Sequence, residues 1–171
     1  MCELFGLSAN NPVSVRFFWR GVVKAGLRQR DGWGVAFYPD DKAVCLVKEP
    51  KPSVSSPMAE FLKNNDFIRS KVVISHVRTA SKGEVAQRNT HPFVRELFGK
   101  EWCFAHNGTV LSIPSSLAFY RPVGETDSEN AFCLIMDRLR KLGPNPSVDD
   151  ETRVSRALRW SLATQEDSTS S

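Results

Sequence analysis

The chain begins MCELFGL (residues 1–7), and we expect the rest of the fold to be arranged around Cys2. Loss of Met1 leaves a thiol and a free α-amine on one Cα. An α-amine has a reference pKa of about 7.7–8.0 and a cysteine thiol one of about 8.5, so the amine can accept the thiol proton near neutral pH. One residue then supplies both a nucleophile and its base. The short apolar pattern also predicts a strand over residues 2–8.

The composition excludes several classes of protein. The chain has 171 residues, enough for one domain with a sizeable core. Its 23 Lys and Arg against 19 Asp and Glu give a formal net charge of +4, spread along the chain, so we expect no nucleic-acid partner. No apolar run approaches the roughly 18 residues that span a membrane, and no signal peptide is apparent. We therefore expect a cytoplasmic protein with no membrane partner.

The four cysteines form neither a metal nor a disulfide pattern. None lies in a C-x-x-C pair, which argues against zinc, and without a secretory signal a disulfide framework is not expected. We expect no metal and no cofactor. Three of the cysteines are expected to be apolar packing residues, namely Cys45, Cys103 and Cys133.

The first part of the chain predicts short strands, turns and helices. Residues 10–12 (Asn-Asn-Pro) predict a turn, and residues 14–27 have helical spacing of apolar side chains. Residues 32–38 and 43–48 predict a hairpin. A proline just before residues 58–63 favours a short helix there.

Residues 71–79 form the clearest predicted strand, and side-chain alternation places His76 and Arg78 on one face. A histidine on a half-buried strand is more often a core residue than a catalyst. Arg78 is either a surface charge or a pocket residue, whose planar guanidinium suits a carboxylate bidentately.

Residues 101–106 predict a strand that is followed by Asn107-Gly108. Asn-Gly between apolar runs is typical of a hairpin turn, so residues 109–113 are expected to return as a strand. The same dipeptide can supply an amide side chain and a backbone N–H, two donors for an oxyanion. The two interpretations are compatible.

Thr126 and Glu129 fit a capping box, and the apolar stripe behind them predicts a helix that ends before Gly143. Asp127 is either a helix cap or a ligand for an ammonium group. Both roles suit an aspartate at the start of a helix.

The element pattern predicts an α+β protein with a largely antiparallel layer. We expect one domain over residues 2–143. Residues 144–171 are expected to be a linker with a helix over 149–163, followed by a polar, Ser-rich tail.

These motifs, in this order, resemble those of class II glutamine amidotransferases, especially the stand-alone bacterial and fungal members without a synthase domain. One motif alone is weak, whereas the ordered set is specific. The resemblance covers residues 2 to about 142. It rests on Cys2, Gly32-Trp33-Gly34, His76-Val77-Arg78, His91-Pro92-Phe93, His106-Asn107-Gly108 and Gly124-Glu125-Thr126-Asp127-Ser128-Glu129.

The resemblance implies an N-terminal nucleophile hydrolase fold, a four-layer αββα sandwich. It implies that Cys2 attacks the γ-amide carbonyl of glutamine, with its own amine as base and then as acid toward ammonia. Asn107 and Gly108 would hold the oxyanion. Water would then release glutamate from the thioester.

The resemblance also assigns the substrate-binding side chains. Arg78 would clamp the α-carboxylate, Asp127 would bind the α-ammonium, and His76 would lie with them. The substrate is either glutamine, with ammonia passed to a partner protein, or a γ-glutamyl amide or peptide such as glutathione. The same residues bind the glutamyl end in both cases, so the sequence does not separate them.

Two departures from the family pattern matter. The family often has His or Asn before Asp31, where this chain has Gln29 and Arg30. Residues 144–171 lack the pattern of the strands that complete the sandwich, so we expect a fold that is incomplete at the C-terminus, with open sheet edges. The second interpretation is therefore a non-catalytic truncated domain, or a binding subunit of a larger amidotransferase or γ-glutamyl hydrolase complex. A papain-like Cys–His hydrolase is a distant third, since Cys2 precedes any helix that would activate its thiol.

Overall fold

The structure is a computed structural model, and it describes residues 2–14, 30–66, 68–80, 83–110 and 117–144. Its contacts divide the chain into two compact units, Met1–Gly108 and Thr109–Ser171. The described strands all lie in the first unit, and the longer of the two described α-helices lies in the second. The composition of elements is α+β, as the sequence pattern predicts.

The first unit is built on a four-stranded antiparallel sheet with strand order β1-β4-β2-β3. The central strand β4 pairs with β1 on one side and with β2 on the other. The strands are β1 (Glu3–Ser14), β2 (Trp33–Phe37), β3 (Cys45–Glu49) and β4 (Arg69–Val77). The predicted strands over 32–38, 43–48 and 71–79 are confirmed, each with ends that differ by one or two residues.

One face of this sheet carries the apolar core of the first unit. Trp33 and Val77 are paired across β2 and β4, and both are fully buried in this cluster. Ala59 and Leu62 of α1 (Pro57–Asn64) join the same cluster. The predicted short helix is confirmed, because its proline occupies the first turn and the preceding serine caps it.

The opposite face carries a row of paired residues with a different character. Leu4 pairs with His76, His76 with Gly34, and Gly34 with Lys48. A Cβ added to Gly34 would lie 2.2 Å from the carbonyl oxygen of His91. The backbone of His91 therefore lies directly on this face, and only glycine leaves room for it.

Strand β1 is longer than the predicted strand over 2–8, and the predicted turn at residues 10–12 is wrong. These residues lie within β1, where the register to β4 shifts between Ser8 and Val13. A β-bulge accommodates extra residues in an edge strand, and a proline without an N–H is tolerated there. The predicted helix over 14–27 begins at Ser14, which instead ends β1, and its remaining residues lie outside the described residues.

A second, two-stranded sheet consists of β5 (Phe93–Leu97) and β6 (Lys100–Phe104). Its turn is Phe98-Gly99, with φ values of 55° and 74°. The strand β5 was not predicted, since Phe-Gly lacks the Asn or Asp that usually favours two positive φ angles. The side chain of Glu96 compensates by accepting the N–H of Gly99 at 2.7 Å.

The predicted strand over 101–106 is confirmed as β6, but its predicted return is not. β6 ends at Phe104, and its partner among the described residues is β5. Residues 105–110 belong to no strand, and residues 111–113 lie outside the described ranges. Asn107-Gly108 therefore does not form the tight hairpin turn that its sequence favours.

The described part of the second unit is dominated by α2 (Asp127–Leu142). The Thr126 side chain accepts the N–H of Glu129 at 3.2 Å, and Gly143 follows the last turn with φ 86°. The predicted helix and cap are confirmed. The predicted helix over 149–163 and the Ser-rich tail lie outside the described residues. Neither described α-helix combines the length and apolar character needed to cross a membrane.

Candidate active site at the end of the central strand

The sulfur of Cys2 is held by the backbone of Thr79. Cys2 directly precedes β1, whose first residue pairs with the last residue of β4. The backbone nitrogen of Thr79 lies 3.2 Å from Sγ, and its carbonyl oxygen lies 3.3 Å from Sγ. The Thr79 N–H donates to the sulfur, and the thiol can donate to the carbonyl. The half-buried nucleophile predicted from the sequence is thus fixed by residues just after β4.

Asn107, which lies near the end of the first unit along the chain, contacts Cys2 as well. Its Nδ2 donates to the carbonyl oxygen of Cys2 at 3.1 Å. A side-chain amide carries two N–H donors, so one bond to Cys2 does not exhaust it. Gly108 is exposed, and a Cβ there would lie 3.1 Å from the His106 ring. The structure therefore brings together Cys2 and Asn107, which are 105 residues apart in the chain.

Arg78 is buried, with 3% of its surface exposed. Its guanidinium donates to the carbonyl oxygens of Glu84 and Gly83, each at 3.1 Å. Burial lowers the pKa of the guanidinium, whereas the charges of Asp31 and Cys2 raise it. An arginine nevertheless stays charged in proteins, so Arg78 is a buried cation whose charge would favour the thiolate form of Cys2. Its predicted role as a carboxylate clamp stays a prediction.

Two buried imidazoles lie beside Arg78. The ring centroids of His76 and His91 are 4.3 Å apart. Burial, together with the charge of Arg78, lowers the pKa of His76 to about 4, although a hydrogen bond with the backbone of His106 acts in the opposite direction. Burial, together with the charge of His76, lowers the pKa of His91 to about 2. Both rings are therefore neutral at pH 7.

These low pKa values bear on the choice of a base. A general base works best when its pKa lies near the working pH, and neither His76 nor His91 meets that condition. The α-amine that Cys2 would carry after loss of Met1 does meet it, with a reference pKa of about 7.7–8.0. The α-amine of Cys2 as the base stays a prediction, and these two histidines are poorly suited to that role.

Lys48 and its partners position the imidazole pair, and sequence reasoning missed them. Its Nζ donates to the carbonyl oxygens of Thr90 at 2.6 Å and Pro92 at 3.3 Å. The same ammonium lies 5.2 Å from the centroid of the Phe93 ring. The His91-Pro92 segment is therefore held between Lys48 and the glycine of β2. A lysine in a hairpin strand has no sequence feature that marks such a role.

Asp127 lies at the start of α2 in the second unit. Its carboxylate accepts the backbone N–H of Val110 at 2.7 Å and that of Ser128 at 2.9 Å. The side chain therefore acts as a helix-start acceptor, and its predicted role toward the substrate ammonium stays a prediction.

The remaining cysteines lie in other surroundings. Cys133 is fully buried, as predicted, whereas Cys45 and Cys103 are half-buried. Burial raises the pKa of the Cys103 thiol to about 12, so it is a poor nucleophile. No three His, Cys, Asp or Glu side chains among the described residues lie together as metal ligands would.

A groove at the far end of β4 contains none of the predicted site residues. It is lined by Pro12, Tyr38 and Arg69 among others. This groove therefore gives no support to the predicted site, which rests on the contacts of Cys2.

Comparison with known proteins agrees with these motifs. A family model described as class-II glutamine amidotransferases matches residues 1–168. The "Putative glutamine amidotransferase YafJ" of Escherichia coli (strain K12) is 45% identical over 148 residues, which cover 84% of this chain and 57% of that protein. A "Putative glutamine amidotransferase" of Haemophilus influenzae is 40% identical over 144 residues, covering 82% of this chain and 48% of that protein.

A solved structure gives the same result. The crystal structure of a "predicted glutamine amidotransferase" from Pseudomonas aeruginosa PA01 superposes with a TM-score of 0.63 at 35% identity, covering 95% of this chain and 64% of that chain. The chain spans about half the length of the two curated relatives. From its motifs, its fold and these matches, the chain belongs to the class-II glutamine amidotransferases.

Proposed function

We propose that this chain hydrolyses the γ-amide of glutamine, or a γ-glutamyl amide, through a thioester on Cys2. Family membership supports hydrolysis or transfer of the glutamine amide in general. The observation that carries the specific proposal is that the Thr79 backbone hydrogen-bonds to the Cys2 sulfur. The Asn107 amide hydrogen-bonds to the carbonyl oxygen of the same cysteine.

The proposed reaction needs no group from outside the chain except water. After loss of Met1, the α-amine of Cys2 takes the thiol proton, and the sulfur bonds to the γ-carbonyl carbon. The carbon–nitrogen bond breaks, and the amine returns the proton to the departing ammonia or amine. Water then cleaves the thioester and leaves glutamate and the free thiol.

Asn107 and Gly108 are proposed to stabilise the oxyanion. One N–H of the Asn107 amide donates to Cys2, which places the amide next to the reacting residue. Its second N–H and the backbone N–H of Gly108 would donate to the developing negative charge. Such donors contribute most when they are positioned before the reaction starts.

The substrate-binding roles are also part of the proposal. Arg78 would bind the α-carboxylate, since its charge already interacts with Cys2. His76, buried and neutral, would lie on the same side. Asp127 would bind the α-ammonium. The ammonia-accepting or hydrolase partner protein and the cytoplasmic location stay predictions.

A second candidate function is a non-catalytic truncated domain or a binding subunit. The chain covers 57% of the Escherichia coli relative, so that protein's whole activity is not carried over to this chain. The described residues supply a four-stranded sheet and a separate two-stranded sheet. The complete four-layer αββα sandwich stays part of the proposal.

The test compares Cys2→Ser with Cys45→Ser in purified protein. Intact mass first establishes whether Met1 is absent, and ammonia and glutamate are then measured with glutamine, or dipeptide and glutamate with glutathione. We expect Cys2→Ser to lose about 10³-fold or more in kcat, because it removes the nucleophile. Cys45→Ser, a half-buried cysteine on β3, should keep its turnover.

Two outcomes would contradict the proposal. Met1 retained on protein that turns over normally would exclude the amine as base. A chain that has lost Met1, unfolds cooperatively and releases no product from either substrate would support the binding-subunit alternative instead.

A further inference from the structure

Asp31 and Gly32 hold the residues on both sides of Thr79. The backbone N–H of Asp31 donates to the carbonyl of Arg78 at 3.2 Å, and the N–H of Arg78 donates to the carbonyl of Gly32 at 2.8 Å. The Asp31 carboxylate accepts the N–H of Ala80 at 2.7 Å through Oδ2. Asp31 thus contacts the segment 78–80 through its backbone and its side chain.

These bonds act on the peptide groups that touch the nucleophile. A peptide group is planar, so the carbonyl of one residue and the N–H of the next move together. The Arg78 carbonyl belongs to the same plane as the Thr79 N–H, which donates to the Cys2 sulfur. The Ala80 N–H belongs to the same plane as the Thr79 carbonyl, which the Cys2 thiol contacts.

In a trans peptide the N–H and the carbonyl point in opposite directions. Asp31 therefore holds both planes from the side that faces away from Cys2. The segment 78–80 lies beyond the end of β4, where no ladder continues among the described residues. A hydrogen bond to a carboxylate is stronger than a neutral one, so the side chain of Asp31 is well suited to fix the Thr79–Ala80 peptide.

We infer that Asp31 is a positioning residue for the Cys2 nucleophile, acting through the two peptide groups on either side of Thr79. The catalytic meaning of this role rests on the proposed function. The positioning itself does not, because it concerns how the Cys2 sulfur is presented to any electrophile. The negative charge of Asp31 also raises the pKa of Arg78, so Asp31 interacts with both Arg78 and the segment that contacts Cys2.

The test uses Asp31→Ala and Asp31→Asn, with Asp40→Ala as the matched control. The Asp40 carboxylate, like that of Asp31, accepts backbone N–H groups. Its donors are Lys42 and Ala43, at 2.7 Å each, and they lie far along the chain from Thr79. The first readout is the rate at which iodoacetamide alkylates Cys2 in the intact chain, measured by peptide mass spectrometry. The second is kcat and KM with glutamine.

Asp31→Ala should slow Cys2 alkylation about tenfold, because a loosened Thr79 N–H no longer stabilises the reactive thiolate. Its kcat should fall about 10²-fold, as expected for a nucleophile misplaced by about 1 Å, with a smaller change in KM. Asp31→Asn keeps an acceptor oxygen for Ala80 and should lie between Asp31→Ala and the wild type. Asp40→Ala should match the wild type in both readouts.

Wild-type alkylation rates in both Asp31 variants would overturn the inference. So would equal slowing in Asp31→Ala and Asp40→Ala, because that result indicates general destabilisation. If Asp31→Ala fails to fold, Asp31→Asn must still alkylate more slowly than the wild type. If the wild type turns over neither glutamine nor glutathione, the proposed function fails, whereas the alkylation rates still decide the positioning.

Discussion

Different side chains hold the irregular backbone beside the imidazole pair of the first unit and before α2 in the second unit. Beside the imidazole pair, cationic side chains donate to carbonyl groups: Arg78 holds residues 83–84, and Lys48 holds Thr90 and Pro92. Before α2, carboxylates of that helix accept backbone N–H groups from the loop. The groups with shifted pKa values differ as well, because they include the buried His76 and His91 in the first unit and the Asp137 carboxyl in the second.

The carboxylates of α2 are spaced along the helix so that each holds its own part of the loop. Glu129 accepts the N–H groups of residues 123–124 at 3.1 and 2.7 Å. Asp137 accepts the N–H groups of residues 118–120 at 2.7 to 3.1 Å. The Arg140 guanidinium also lies 3.5 Å from the centroid of the Phe119 ring. The helix thus holds residues 118–120 and 123–124, none of which lies in a strand.

The largest expected effect is that of Gly34→Ala in the first unit. The added Cβ would meet the His91 carbonyl at 2.2 Å and the Lys48 Cβ at 2.8 Å. Neither can move without displacing backbone, so we expect the free energy of unfolding to fall by about 3 kcal/mol. The urea unfolding midpoint measures this loss.

The matched control is Gly6→Ala, since a Cβ there meets nothing within 4 Å. Its urea unfolding midpoint should equal that of the wild type or be slightly higher. If Gly34→Ala also unfolds like the wild type, the His91 segment does not pack against β2 as described, and Lys48 does not hold it there.

Asp137→Ala should have the next largest effect and should be confined to the second unit. It removes the acceptor of three backbone N–H groups, and hydrogen bonds to charged groups contribute about 1.5–3 kcal/mol. Amide hydrogen exchange of residues 118–120 should become faster, whereas the rate of Cys2 alkylation should not change. Asp137→Asn keeps one acceptor and should lose less. Unchanged exchange in Asp137→Ala would mean that the loop is held by other contacts.

A further expected effect is a pH dependence that differs between the units. The folded-state pKa values of His76 and His91, about 4 and about 2, lie below the ordinary value of 6.5. The unfolded chain therefore binds protons first, and the first unit loses stability as the pH falls below about 6.5. The slope is about 1.4 kcal/mol per pH unit for each histidine.

The second unit should respond only at lower pH. Burial raises the pKa of the Asp137 carboxyl, but the N–H groups of Tyr120, Ala118 and Phe119 outweigh it, so its pKa lies below its ordinary value of 3.8. Its stabilising effect is present above about pH 3.8 and is lost as the pH falls through the folded-state value.

Hydrogen exchange resolved by mass spectrometry at pH 7, 5 and 3.5 follows the two units separately. His91→Gln should flatten the dependence of the first unit between pH 6.5 and 4 and leave the second unchanged. Parallel loss of protection in both units above pH 5 would contradict the assignment of separate titrating groups.

Much of the fold could be predicted where neighbours along the chain decide the structure. The strand over 71–79, the helix after Pro57 and the helix capped by Thr126 follow from alternation, a proline at the first turn and a serine- or threonine-type cap. The sequence also named Cys2 and Asn107 as candidate site residues, because their side chains belong to a set of motifs in a specific order. Their direct contact is what the structure adds.

The sequence by itself determined most of the described strands and both described α-helices, and it named the side chains that are proposed to carry the chemistry. Only the tertiary structure decided that residues 10–12 continue β1, that Phe98-Gly99 turns the hairpin, and that Asp31 reaches the peptide groups beside Thr79. The physical reason is that these features depend on backbone N–H and carbonyl groups, which nearly every residue carries alike. Which of them meet across a fold is set by packing of distant segments, and no local pattern of side chains records it.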